Sequence, residues 1–305
     1  MPNPLVSVAL AAFNGAAFLR EQLDSVLAQS HALLELVVVD DASTDETAAI
    51  LRGYAACDAR VQVHFNERNL GYNANFVRAL SLCRGEYVAP CDQDDIWHPD
   101  KLGLLLEAIG KADLAYCDSE YIDGSGAPLG RRLSSERGMY AGNDPLALVL
   151  TNSVSGHACL CRRKLAERAC PFPDDVYYDW WLALNATAEE GVRYLDRPLV
   201  QCRRHGNTVS TLGGTGHGRK SASLHEYLIE TRGLVSAMRR LGGDRKTDIE
   251  SLDAALQAWL EKGHRLPFLK FVWRHSAVML QVARPRLPLI TSRLFRNFLP
   301  RNRSG

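Results

Sequence analysis

The sequence predicts an α/β protein built on a doubly wound, mainly parallel sheet, followed by a helical C-terminal extension. Three observations carry this. Strand and helix patterns alternate through the first 118 residues. One strand run, LELVVVD at Leu34–Asp40, is a continuous β-branched run without alternation, as in a strand covered on both faces. From about Ser221 the patterns are helical only.

The elements follow in order. LVSVALAAF (Leu5–Phe13) reads as the first strand and AAFLREQLDSVLAQ as an amphipathic helix. LELVVVD is the second strand. STDETAAILRGYA is the next helix, with Ser43 and Glu46 spaced as a capping box. RVQVHF and GYNANFVRALSLC form the third pair. GEYVAP is a fourth strand, HPDKLGLLLEAIG a helix opened by Pro99 and Asp100, and ADLAYCD a fifth strand. After Asp118 the rhythm breaks. A turn-rich DGSGAPLG precedes a strand at SGHACLCRR, a helix at YYDWWLALNATAEEG and one or two strands at RYLDRPLVQCRRH. GNTVSTLGGTGHG, with five glycines in thirteen residues, is expected to be a mobile loop. The chain divides at 1–118, 119–218 and 219–305.

The composition is that of a globular protein: 46% hydrophobic, net charge +1. The charge is unevenly spread. Nine basic residues and no Asp or Glu lie between His264 and Gly305, which leaves about −8 on the remainder. The eight cysteines form no CxxC pair and read as buried thiols. With no signal peptide the chain is expected in the cytoplasm. No run reaches the roughly 18 apolar residues of a membrane span.

In an open parallel sheet, ligands bind beyond the carboxyl ends of the strands. Three strands here end in polar clusters, AAFNG, VVVDDAS and APCDQDD, so Asp40, Asp41, Asp92, Asp94 and Asp95 are expected at one edge. Carboxylates packed that closely repel unless a cation neutralises them. The Asp-x-Asp spacing of Asp92 and Asp94 suits Mg²⁺ or Mn²⁺, which in turn hold a diphosphate. Asp92 also reads as a turn residue, and Asp95 and Asp100 as helix-start acids, the plainer reading for those two. Neither GxGxxG nor GxxxxGK[ST] follows the first strand, which argues against a dinucleotide-dependent dehydrogenase and a P-loop NTPase.

The runs VSVALAAFNGAAFLREQLDSVLAQS, ELVVVDDASTDET, NLGYNANFVRAL, GEYVAPCDQDDIWHPDKL and YYDWWLAL…GVRYLDRPLVQCRRHGNTVS occur in this order between Val6 and Ser210. In this the chain resembles the inverting glycosyltransferase family 2, with its Rossmann-like GT-A fold. DQDDIW and DWW…RHGNTVS look most like the rhamnosyltransferases of bacterial polysaccharide assembly. The resemblance implies a nucleotide-sugar-binding half at 1–118, an acceptor-binding and catalytic half at 119–218, and a basic extension. It implies that Asp41 accepts a hydrogen bond from the nucleotide base, and that Ala11, Phe13 and Asn14 line the nucleotide-sugar site. The family usually has Tyr where Phe13 stands. Asp92 falls near the ribose and metal, Asp94 on the metal, and His205 on metal or diphosphate. Asp179 matches the general base; Asp174 and Asp175 are rivals outside the motif.

The partners implied are a nucleotide diphosphate sugar and a saccharide or lipid-linked acceptor, with no nucleic acid. Of Trp180 and Trp181, one is expected in the core and one as a platform for the acceptor sugar. The Gly206–Gly218 loop is expected to close over the donor. The basic tail, with Phe268, Phe271, Trp273, Leu294 and Phe298, reads as a peripheral contact with anionic lipid on the inner face of the membrane. Its other reading is a packing element or homodimer contact. Two rival functions remain. A sugar-1-phosphate nucleotidyltransferase needs a Gly-rich, basic signature after the first strand, which AAFNGAAFLRE lacks. A catalytically inactive nucleotide-sugar-binding module fits poorly with Asp92, Asp94 and Asp179 all in place.

Overall fold

The computed structural model describes residues 3–205 and 224–283. In chain order the first half comprises β1 (Val6–Ala12), α1 (Leu19–Leu27), β2 (Leu34–Asp40), α2 (Thr47–Cys57), β3 (Val61–Phe65), α3 (Tyr72–Leu82) and β4 (Tyr87–Cys91). These strands form a parallel sheet in the order β3-β2-β1-β4. All seven residues of β2 are buried. Val37 and Val39 pack with Phe76 of α3 on one face, while Leu36 and Val38 pack with Leu23 of α1 and Leu51 of α2 on the other. That two-sided cover is why the run does not alternate. The capping box does not form. Ser43 donates to Asp40 instead, and α2 starts at Thr47 without a side-chain cap.

The second half comprises β5 (Ile96–Trp97), α4 (Lys101–Ile109), β6 (Leu114–Ile122), β7 (Pro128–Arg132), β8 (Cys159–Arg162), α5 (Arg163–Ala169), α6 (Tyr178–Thr187) and β9 (Val192–Arg203). In this half the sheet is mixed rather than parallel. β8 inserts antiparallel between β4 and β6, and β5 and β7 also pair antiparallel; only β6 and β9 run parallel. β6 therefore does not neighbour β4. Its sequence reads like the preceding strands because burial on both faces, not strand direction, sets the residue pattern. Asp118 lies inside β6, so the first two segments of the chain share one sheet. All eight cysteines are free thiols, six of them buried.

Four helices follow: α7 (Leu224–Met238), α8 (Lys246–Lys262), α9 (Leu266–Arg274) and α10 (Ser276–Ala283). They join the same core as α3 and α6, through Val235, Leu252, Leu256 and Trp259 among others. Phe268 and Phe271, expected to meet lipid, are instead 0% and 9% exposed. On α9 only Leu266 and Trp273 among the large apolar residues face outward, Trp273 at 81%. Leu294, Phe298 and the basic residues from Arg284 onward lie outside the described residues. No described helix is long and apolar enough to cross a membrane.

Ending the chain at Lys262 removes Phe268, Phe271, Met279 and Val282 from the core. Each such side chain contributes about 1.5–3 kcal/mol by burial. The truncated protein is expected to melt far below the full chain or to aggregate; an unchanged melting temperature in a thermal unfolding scan would show that α9 and α10 are dispensable to the core.

Candidate active site

The parallel strands end level with one another, Ala12 beside Asp40 and Leu10 beside Cys91. Phe13–Asn14, Asp41 and Asp92–Asp95 therefore emerge at one edge. Asp92 and Asp94 face the cleft, with side chains 28% and 15% exposed. His205, from just beyond β9, brings Nε2 to 2.8 Å from Asp94 Oδ2. Burial and the charge of Asp92 raise the Asp94 carboxyl above its ordinary value, while His205 draws it down. A desolvated carboxylate beside a second one, with an imidazole nitrogen in reach, is a donor set suited to a divalent cation.

Asp95 is not a helix-start acid. α4 begins at Lys101, and Asp95 is buried behind the loop at 2% exposed. Its Oδ1 accepts from the Arg203 backbone N–H at 3.0 Å, and its Oδ2 has no hydrogen-bond partner. Burial pushes its carboxyl up to about 7, against the pull of His157.

Three cations that the sequence reading did not single out surround these acids. His157 places Nδ1 3.6 Å from Asp92 Oδ2 and 3.9 Å from Asp95 Oδ2, while Nε2 lies 3.0 Å from Ser119 Oγ. Burial alone would push His157 down; Cys202 and the carboxylates of Asp95 and Asp92 push it up and prevail. Arg203 is 1% exposed. Its Nε donates to the Asp94 carbonyl at 3.0 Å and its Nη2 to Glu21 at 2.7 Å, with the guanidinium 4.6 Å above the Phe18 ring. Lys101 is wholly buried, donates to the His157 carbonyl at 2.5 Å and lies 3.1 Å above the Trp97 ring; burial lowers it to about 8. Part of the neutralisation expected of a metal is thus built into the protein. The sequence signals were slight: a His in SGHAC, a Lys in HPDKL and an Arg in QCRRH.

Asp179 sits in the first turn of α6, half-buried. Its Oδ1 accepts from Trp180 N–H at 2.7 Å and its Oδ2 from Gly156 N–H at 3.2 Å. A side chain at Gly156 would collide with the Tyr178 hydroxyl, so only glycine brings that N–H so close. Burial raises the Asp179 carboxyl to about 6; the two N–H groups oppose the shift and the Asp92 charge adds to it. Tyr72 spans the gap, donating to Asp92 Oδ1 at 3.5 Å and feeling both Asp92 and Asp179.

At the other side of the edge, Asp41 is 2% exposed and already occupied. Its Oδ1 accepts from Asn66 Nδ2 and Leu70 N–H, its Oδ2 from Gly71 N–H, so it shapes the 66–71 loop that starts α3. Asp40 accepts from Ser43 and closes the turn. Phe13 is 44% exposed, Ala11 half-buried, and Asn14 adopts φ +48° with its Oδ1 accepting from Thr44 N–H. Gln93 grips Phe13 from both sides, accepting from its N–H at 2.8 Å and donating to its carbonyl at 3.0 Å. The acid loop and the Phe13 loop are thereby one rigid unit.

Neither tryptophan is a sugar platform. Trp180 and Trp181 are 6% and 2% exposed, and both indole N–H groups donate to carbonyls, of Leu148 and Ala169. The Gly206–Gly218 loop lies outside the described residues.

The model of the family described as Glycosyl transferase family 2 matches residues 7–169. The chain is 39% identical over 119 residues to TuaG of Bacillus subtilis (strain 168), a glycosyltransferase named for teichuronic acid biosynthesis; the match covers 39% of this chain. It covers 47% of TuaG, so the chain spans about half the length of that relative. Among solved structures, S. aureus TarS with UDP-GlcNAc matches at TM-score 0.61 and 18% identity, over 90% of this chain and 81% of that one. The mannosyltransferase PcManGT from Pyrobaculum calidifontis, with GDP-Man and Mn²⁺, matches at 0.53 and 21%, over 97% and 81%. At these identities the likeness shows the fold, which is GT-A.

Proposed function

The chain belongs to glycosyl transferase family 2, and on that premise we propose that it transfers a sugar, with inversion, from a nucleotide diphosphate donor to a saccharide or lipid-linked acceptor in cell-surface polysaccharide synthesis. The observation that carries this reading is the contact of Asp94 with His205 at the strand edge, with Asp92 and Asp179 close enough for the charge of Asp92 to be felt at both Asp94 and Asp179. Asp92, Asp94 and His205 hold Mg²⁺ or Mn²⁺, the imidazole favouring Mn²⁺. When bound, the ion offsets charge on the departing diphosphate.

Asp179 takes the proton from the acceptor hydroxyl. Its raised carboxyl makes it a stronger base than an ordinary aspartate while leaving it ionised at neutral pH. The Phe13 ring offers a stacking face for the base. Ala11 at the end of β1 and Asn14 just beyond it line the same edge, and Asp41, which holds the 66–71 segment, keeps one lone pair of Oδ2 for a base N–H. Rhamnose is the donor sugar that the DQDDIW and DWW…RHGNTVS motifs favour. The exposed Trp273, with Lys270 and Arg274 beside it, supports a peripheral membrane contact on the cytoplasmic side.

A panel of dTDP-, UDP- and GDP-sugars, read by release of nucleotide diphosphate with and without Mn²⁺, tests the reading. Release from one donor that stops in excess EDTA is expected. Full release in EDTA would remove the metal from the mechanism, and no release or binding with any donor would remove the transferase reading.

A further inference from the structure

Beside the acids lies a pocket of about 330 Å³ lined by Tyr72, Asn73, Asp174, Asp175, Val176 and Tyr177. It opens between the N-terminal ends of α3 and α6, so Tyr72 is at once its wall and a neighbour of Asp92. The wall is rigid. Asn73 donates to the Val176 carbonyl at 2.8 Å and accepts from the Tyr178 N–H at 2.8 Å, pinning the segment that leads into Asp179. Two half-buried tyrosine rings, 6.3 Å apart, offer apolar faces. Asp174 and Asp175 are exposed, and neither carboxylate has an ion-pair or hydrogen-bond partner among the described residues.

Aromatic faces with free carboxylates suit a pyranose ring. The rings cover its C–H surface and the carboxylates accept from its hydroxyl or ammonium groups. The same carboxylates repel an anion, since nothing in the pocket compensates them. We propose that this pocket is an acceptor subsite that takes an uncharged or amino-bearing sugar and rejects uronates and phosphate-bearing sugars. The assignment rests on the glycosyltransferase reading, with Asp179 as base. Its position supports this: Tyr72, which walls the pocket, also meets Asp92 and feels the charge of Asp179.

The test uses the full chain with its donor and Mn²⁺, and three matched aryl glycosides carrying a neutral hexose, an amino hexose and a hexuronic acid. For the unaltered protein, the KM of the uronide is expected at least about tenfold above that of the neutral glycoside, the size of one hydrogen bond to a charged group. In the double variant Asp174→Asn, Asp175→Asn, the ratio of the two KM values should fall towards one. That ratio is read because partial unfolding lowers all rates alike. Tyr177→Leu should raise KM for all three glycosides together. An unchanged ratio in the double variant overturns the subsite. So does a preference of the unaltered protein for the uronide, or donor hydrolysis with transfer to none of the three. Absence of both binding and release with every donor in the panel overturns the transferase reading itself and is thus told apart.

Discussion

Asp94→Ala is expected to abolish metal-dependent donor binding and to lower transfer by about 10³-fold or more. A divalent ion at a departing diphosphate supplies several kcal/mol, and each 1.36 kcal/mol is tenfold in rate. Asp94 is the acid that His205 meets at 2.8 Å, and its carboxyl is held high by burial and by Asp92, the state that a cation relieves. The loop itself should survive the change, because Arg203 grips the Asp94 backbone carbonyl rather than its side chain. Calorimetry with nucleoside diphosphate and Mn²⁺, beside a turnover assay, reads both effects. Turnover within tenfold of the unaltered protein would show that the ion is held elsewhere.

Asp179→Asn is expected to lower transfer by about 10²–10⁴-fold while nucleoside diphosphate still binds. The amide keeps the shape and cannot take the proton. The pH profile provides a second check. The base works only when ionised, and burial places its carboxyl at about 6. The rate should therefore fall as pH drops through 6, about two units above where an ordinary aspartate would act. An acid limb near pH 4, or normal turnover in the variant, would move the proton transfer to another group.

Much of the fold could be read along the chain. Repeated strand and helix patterns identified the parallel half, because a strand covered on both faces carries an unbroken apolar run, as β2 does from Leu36 to Val39. Direction could not be read in the same way. β8 and β6 are nearly as buried as β2, yet β8 runs antiparallel between β4 and β6, since burial constrains side chains and not strand polarity. The tail shows a similar limit. Aromatics spaced among basic residues look alike whether they meet lipid or a protein core, and only packing shows that Phe268 and Phe271 point inward while Trp273 points outward.

The sequence by itself determined that this is an α/β protein with an acidic cluster at the strand ends, because strand periodicity and clustered carboxylates are local properties, and five ordered motifs carried its likeness to glycosyl transferase family 2. Tertiary structure alone decided how that cluster is tolerated. Asp95 is sealed behind the cleft, His157 stands between Asp92 and Asp95, and Arg203 and Lys101 brace the acid loop and the His157 segment from within the core. His157 and Arg203 lie tens of residues from the acids along the chain, and Lys101 faces inward on a helix whose lysine would ordinarily be solvated. Coulomb energy depends on separation in space and on desolvation, and neither is written in the order of residues.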